Sequence, residues 1–95
     1  MNEIIYTVSK DGESLKIKET WCDCDIVEEY EVDGEWVRYC PDNLKHLEDI
    51  VVENYLDYIL PQLEKELRGE DGVDEECLSH LGVEFEIIST GWIKE

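Results

Sequence analysis

Basic residues are scarce in this sequence. Eight lysines and arginines stand against 26 aspartates and glutamates in 95 residues, which gives a formal net charge of -18. Direct binding to DNA, RNA or an anionic membrane requires a basic footprint, so this composition argues against all three as ligands. A small soluble domain usually carries a net charge of magnitude about 2–8. Solubility alone therefore does not explain the excess, and self-repulsion between the carboxylates destabilises the compact state.

Long apolar runs, linkers and repeats are also missing. No stretch approaches the roughly 20 apolar residues of a membrane span, and the apolar run at residues 4–8 is too short for a secretory signal. We therefore expect a cytoplasmic protein with reduced cysteines, located in the host cytoplasm if a phage encodes it. Hydrophobic residues make up 42% of the chain and are spread along it, so residues 1–95 are expected to form a single domain around one core.

Asp-Gly pairs between alternating apolar and polar residues are the strongest short-range signal for a β-hairpin. The pair at residues 11–12 predicts a hairpin in which Val8 faces Leu15 and Tyr6 faces Ile17. A slip of one residue would mix the apolar and polar faces of both strands.

The second Asp-Gly pair, at residues 33–34, predicts a hairpin with an acidic face. Glu29 is expected opposite Arg38 and Glu31 opposite Trp36, with Asp33 at the turn. Same-face side chains along a strand lie about 6.6 Å apart, and duplex phosphates are spaced about 3.4 Å apart per strand along the axis. The charge density of the strand is thus of the same order as that of a nucleic-acid backbone, with about one carboxylate for every two phosphates of a strand.

Apolar residues recur at helical spacing over residues 44–60, after a capping signal at residues 42–43. Pro61 is expected to kink or split this helix, and a second segment should end at Gly69. On a regular helix, Glu53, Asp57 and Glu64 fall within about 40° of one another on the side away from the core.

After a loop and a short helical turn, residues 83–87 alternate again between apolar and acidic side chains. The predicted order is β-β-β-β-α-α-β. This order indicates the α+β class, with an antiparallel sheet built from two hairpins and a C-terminal strand, and with helices on one face.

Metal binding and covalent catalysis have weak support. The candidate ligands are Cys22, Cys24, Cys40, Cys77, His46 and His80. A zinc site is geometrically possible, but Cys-x-Cys is tighter than the usual spacing of zinc ligands, which favours plain thiols. An activated cysteine needs an electropositive setting, which a charge of -18 disfavours. Since no phosphate-binding loop is present either, we expect no catalytic residue, no metal and no cofactor, and a protein that is not an enzyme.

Since catalysis and metal binding have weak support, we expect that the many carboxylates serve to bind a basic partner. Trp36 is either a ring that shields the sheet or an anchor in a charged interface, since tryptophan is enriched among binding hot spots. The candidate partner-binding residues are Asp23, Asp25, Glu29, Glu31, Asp33, Glu35, Trp36, Glu53, Asp57 and Glu64.

In size, charge and acidic rows, the chain resembles the acidic DNA-mimic inhibitors of phages and mobile elements, such as anti-CRISPR and anti-restriction proteins. The resemblance implies a protein that occupies the basic groove of a nucleic-acid-binding enzyme, with electrostatically steered association. An immunity protein that neutralises a toxin nuclease would use the same physics against a different target. A small interaction module stabilised by zinc is a further alternative.

Overall fold

The computed structural model describes residues 1–23 and 25–92. Its five-stranded antiparallel sheet has the spatial order β4-β3-β2-β1-β5. The strands are β1 (Asn2–Lys10), β2 (Glu13–Trp21), β3 (Ile26–Val32), β4 (Glu35–Val37) and β5 (Glu84–Trp92). The predicted α+β class and element order are confirmed.

Both predicted hairpins form around their Asp-Gly turns. Asp11 and Asp33 have φ of 53°, and the following glycines have φ of 83°. Positive φ at both central residues is the requirement of the tight hairpin turn that follows the twist of the strands. The registers are also as predicted, with Val8 opposite Leu15 in the first hairpin and Glu31 opposite Trp36 in the second.

One face of the sheet is covered by the helical segment. This segment consists of a 3₁₀ turn (Asp42–Leu44), α1 (Lys45–Asn54), a π turn (Tyr55–Ile59) and α2 (Leu60–Leu67). Helix α1 packs on β1 and β2, and α2 packs on β1 and β5. A second 3₁₀ turn (Ser79–Leu81) precedes β5. The core between the layers includes Ile4, Tyr6, Val8, Leu15, Ile17, Leu47, Val51, Ile59, Leu63, Leu78 and Phe85.

The π turn is explained by the spacing of the apolar residues. The helical side chains of the core include a row at a constant interval of four residues: Leu47, Val51, Tyr55, Ile59 and Leu63. An α-helix turns about 100° per residue, so this row would drift by about 160° from its first to its last member. A π turn fits an extra residue into one turn and reverses about 100° of that drift. The predicted break near Pro61 is therefore a π turn just before the proline, which occupies the start of α2.

The other face of the sheet is not covered by helices. We call it the open face, and it carries Thr7, Lys16, Lys18, Glu29, Glu31 and Trp36. β4 ends at Val37, so the predicted pairing of Glu29 with Arg38 is not formed within the sheet.

Candidate partner-binding surfaces

Glu29 and Glu31, which we call the sheet row, lie on the open face of β3. Each is paired with a lysine of β2: Lys18 Nζ lies 3.7 Å from Glu29 Oε1, and Lys16 Nζ lies 3.5 Å from Glu31 Oε2. The prediction that Arg38 pairs with Glu29 was wrong, because β4 ends before Arg38. The lysines of β2, on the other side of β3, face the sheet row instead. Much of the charge of the sheet row is thus compensated within the fold.

Trp36 belongs to the same compensated arrangement. It is half-buried opposite Glu31, and the Lys18 ammonium lies 4.8 Å from the centroid of its ring. A cation at this distance over an indole ring is attracted by the negative face of the π system. The lysine therefore bridges Glu29 and Trp36 and ties three strands together.

The predicted acids in the loops lie at opposite ends of β3. Asp23 and Asp25 are exposed in the loop before the strand, where Asp25 Oδ1 accepts a hydrogen bond from the Ile26 N–H at 2.9 Å. Asp33 and Glu35 are exposed at the turn after it. Since a strand of seven residues spans about 23 Å, these residues do not form one compact site.

A second acidic row runs along the outer side of the helical segment. Asp49, Glu53 and Asp57, which we call the helix row, are all exposed. They follow the same four-residue interval as the core side chains Leu47, Val51 and Tyr55. Each acid comes two residues after one of these core residues, which places it about 200° away around the helix. Among the described residues, no basic side chain lies within salt-bridge distance of any of them.

The structure replaces one predicted member of this row. Glu64 was expected beside Glu53 and Asp57 on the assumption of a regular helix, but the π turn intervenes. Glu64 Oε2 instead lies 3.9 Å from Arg68 Nη1, and Glu64 lines a shallow pocket together with Trp21. Asp49 was missed, although its four-residue spacing from Glu53 was visible in the sequence.

Aliphatic side chains accompany the helix row. Val52 and Leu56 are one helical turn apart, and their relative exposures are 68% and 75%. We call this pair the apolar ridge. It lies on the solvent side of the helical segment, with Glu53 and Asp57 as the next residues in the chain.

Another acidic group lines a groove beside the edge strand β5. The groove is bordered by Glu75, Glu76, Glu84 and Glu86. Glu75 Oε2 accepts a hydrogen bond from the Ile87 N–H at 3.0 Å, so this carboxylate satisfies an outward-pointing donor of the edge.

Glu19 was not singled out by the sequence reasoning and is fully buried, with 0% exposure. Its carboxylate accepts hydrogen bonds from Tyr6 Oη and Tyr55 Oη, both at 2.7 Å, and from Trp21 Nε1 at 3.0 Å. The signal for its burial was its place in the alternation of β2, where Leu15, Ile17 and Glu19 are successive residues on the inward side. Because Tyr55 belongs to the π turn, this network fixes the helical segment on the sheet.

The buried carboxylate changes the pKa values of its neighbours. Burial first, and then the charge of Glu19, raise the pKa of Tyr6 well above its usual value. The pKa of Tyr55 is raised by burial and by its hydrogen bond to Glu19. Both phenols thus remain hydrogen-bond donors throughout the neutral range. Glu28 lies directly opposite Glu19 across β2 and β3. Partial desolvation first, and then the charge of Glu19, raise the pKa of its carboxyl.

The thiols and histidines are dispersed. Cys22 is exposed, Cys40 and Cys77 are buried, and Cys24 lies outside the described residues. Burial raises the pKa of both Cys40 and Cys77, which disfavours the nucleophilic thiolate. His46 Nε2 lies 3.2 Å from Glu13, and the His80 ring packs 5.1 Å from that of Tyr58. Within residues 1–23 and 25–92, no group of three or more His, Cys, Asp or Glu is arranged to hold a metal ion.

Of the elements the structure describes, no helix combines the length and apolar character needed to cross a membrane. Comparison with protein-family models, with curated proteins and with solved structures gave no match.

Proposed function

We propose that this protein is an acidic nucleic-acid mimic, which inhibits a DNA- or RNA-binding enzyme by occupying its basic groove. The observation that carries the proposal is the helix row. Asp49, Glu53 and Asp57 are exposed on one side of the helical segment and have no basic partner among the described residues. The sheet row, with its lysines, is a weaker candidate for the same role.

The spacing of the helix row supports the comparison with phosphates. Four residues of a helix rise about 6 Å, and every second phosphate of one strand lies about 6.8 Å along the duplex axis. A fixed row of negative charges at this interval complements lysines and arginines placed to hold a nucleic-acid backbone. The net charge of -18 adds long-range attraction that accelerates encounter with a basic protein.

Inhibition by occupancy requires no chemistry of its own. Cys40 and Cys77 are buried and their pKa values are raised by that burial, which disfavours both thiols as nucleophiles. We propose that the protein is not an enzyme and acts in the cytoplasm, where its target would encounter nucleic acid.

The test is capture followed by competition. The chain is immobilised, and an extract of the source cell is passed over it. The basic protein that is retained is then identified and purified. Its binding to a labelled duplex DNA and to a labelled RNA is then titrated with the free chain. We expect the chain to displace the nucleic acid competitively, and excess nucleic acid to release the chain.

Two matched variants locate the site. Asp49→Asn/Glu53→Gln/Asp57→Asn should weaken inhibition at least about tenfold, mostly through slower association. Glu29→Gln/Glu31→Gln, which alters the compensated sheet row, should change it much less. Simultaneous binding of chain and nucleic acid to the captured protein would refute the proposal. If that protein is a toxin nuclease, the inhibitor is an immunity protein rather than an agent against host or defence enzymes.

A further inference from the structure

The apolar ridge is not explained by mimicry of phosphates. Val52 and Leu56, at 68% and 75% exposure, are the most exposed of the large hydrophobic side chains that the structure describes. A phosphate backbone presents charge and polar oxygen, so two aliphatic side chains beside the helix row add nothing to the electrostatic likeness. Adjacent exposed aliphatic side chains bordered by charged residues are instead a feature of protein-interaction surfaces.

The geometry of the ridge indicates what covers it. Side chains at positions i and i+4 of a helix form the ridges that fit into the grooves of another helix. The adjacent helix row has no basic partner among the described residues, so the covering helix must bring lysines or arginines next to its own aliphatic residues. A second copy of this chain would present the same acids, and charge repulsion therefore disfavours self-association through this face.

We propose that the apolar ridge and the helix row together dock a basic amphipathic α-helix of the partner protein. This inference rests on the proposed function and specifies the element of the target that is bound. The docking surface is held in place from beneath, because Tyr55 of the π turn donates a 2.7 Å hydrogen bond to the buried Glu19. A surface fixed in this way loses little conformational freedom on binding.

Synthetic peptides test the inference even before the target is identified. The first probe is a lysine–leucine peptide of about 18 residues, long enough to form a helix, with leucines at i and i+4 flanked by lysines. The second has the same composition but a shuffled order that forms no apolar ridge. Binding is measured by calorimetry, and the contact surface is mapped by NMR chemical-shift changes in the chain.

We expect the amphipathic peptide to bind at least about tenfold more tightly than the shuffled one, with shift changes concentrated at residues 49–57. Val52→Ser/Leu56→Ser should abolish that preference, and circular dichroism should show an unchanged fold because both side chains are exposed. Ile88→Ser is the matched control. Ile88 is 47% exposed in the edge strand β5, outside residues 49–57, and its replacement should leave peptide binding unchanged.

The two proposals fail in different ways. If both peptides bind equally, or if Val52→Ser/Leu56→Ser binds like the wild type, the inference about the helix is overturned, while displacement of nucleic acid from the captured target can still succeed. If the amphipathic peptide binds at the ridge but the captured target keeps its nucleic acid, docking is supported and the nucleic-acid-mimic function is lost.

Discussion

Of the charged residues that the structure describes, Glu19 alone is fully buried, and it illustrates how a strongly acidic chain accommodates a carboxylate in its core. Transfer of an unpaired carboxylate into an apolar interior is prohibitive, so buried charges are found with hydrogen-bond partners. Two phenols and one indole supply them here, from β1, β2 and the π turn. All three are neutral donors, and no basic residue within the described part of the chain is paired with this carboxylate.

Replacement of Glu19 by Gln should destabilise the protein. The amide has one acceptor oxygen, and its NH₂ group would face a tyrosine or tryptophan donor. An unsatisfied buried polar group costs about 1–3 kcal/mol, and we expect a loss of this size in the free energy of unfolding measured in urea. Glu86→Gln is the matched control, because Glu86 is exposed, and its effect should stay within about 0.5 kcal/mol. Equal effects of the two substitutions would mean that the network does not hold the helical segment.

Glu28 should make stability depend on pH. Its pKa is raised above the ordinary value by burial and by the neighbouring charge of Glu19. The folded state therefore takes up this proton at a higher pH than the unfolded state does. Its contribution to stability is present below the unfolded pKa and is lost as pH rises through the folded pKa.

We therefore expect a higher midpoint of urea denaturation near pH 5 than near pH 8, and a smaller difference in Glu28→Gln. The comparison with this variant separates Glu28 from general repulsion among the other carboxylates. An identical pH dependence in the wild type and in Glu28→Gln would contradict the assignment.

At the scale of elements, the cross-strand lysines Lys16 and Lys18 compensate the acidic charge of the open face. Lys18 contacts both Glu29 and the Trp36 ring, so we expect Lys18→Gln to lower the free energy of unfolding by about 0.5–1 kcal/mol. A double-mutant cycle with Glu29→Gln in urea denaturation isolates the ion pair. Its coupling should shrink at high salt, because these side chains are partly accessible to solvent. Absence of coupling at low salt would show that Lys18 and Glu29 do not interact and that Lys18 does not compensate the charge of the sheet row.

The elements differ in how far the sequence predicted them. Both hairpins follow from local chemistry, because Asp-Gly selects the turn and the alternation of side chains selects the register. The contacts of Lys16 and Lys18 with the sheet row depend on β2 pairing with β3, a contact that no local pattern specifies. The π turn was not predicted because a regular helix was assumed. For the same reason, Glu64 was assigned to the helix row and Asp49 was not. Glu19 was hidden by its residue type, since a glutamate on an apolar strand face looks like an interruption until its donors are placed around it.

At the scale of the whole molecule, the two acidic rows lie on opposite sides of a two-layer domain. The sheet row lies on the open face, and the helix row lies on the solvent side of the helical segment that covers the other face. A flat partner surface can contact one of them but not both. The sheet row is paired with lysines and the helix row has no basic partner among the described residues. A single basic partner is therefore expected on the side of the helix row.

The last prediction concerns the response of stability to salt. Six carboxylates have a basic or histidine partner within the described residues, out of 26 in the chain. Screening weakens both the pairs and the repulsions, and repulsive pairs dominate at a net charge of -18. Since the Debye length falls from about 8 Å at 0.15 M to about 3 Å at 1 M ionic strength, the thermal midpoint should rise with sodium chloride.

The helix-row variant Asp49→Asn/Glu53→Gln/Asp57→Asn should start from a higher midpoint at low salt and gain less from added salt. Lys16→Gln/Lys18→Gln should do the reverse, because it removes the cations that compensate the sheet row. Differential scanning calorimetry over a salt series measures all three proteins. A flat or falling curve for the wild type would mean that its carboxylates are already well compensated in the fold. The helix row would then lack the uncompensated charge on which binding to a basic groove depends.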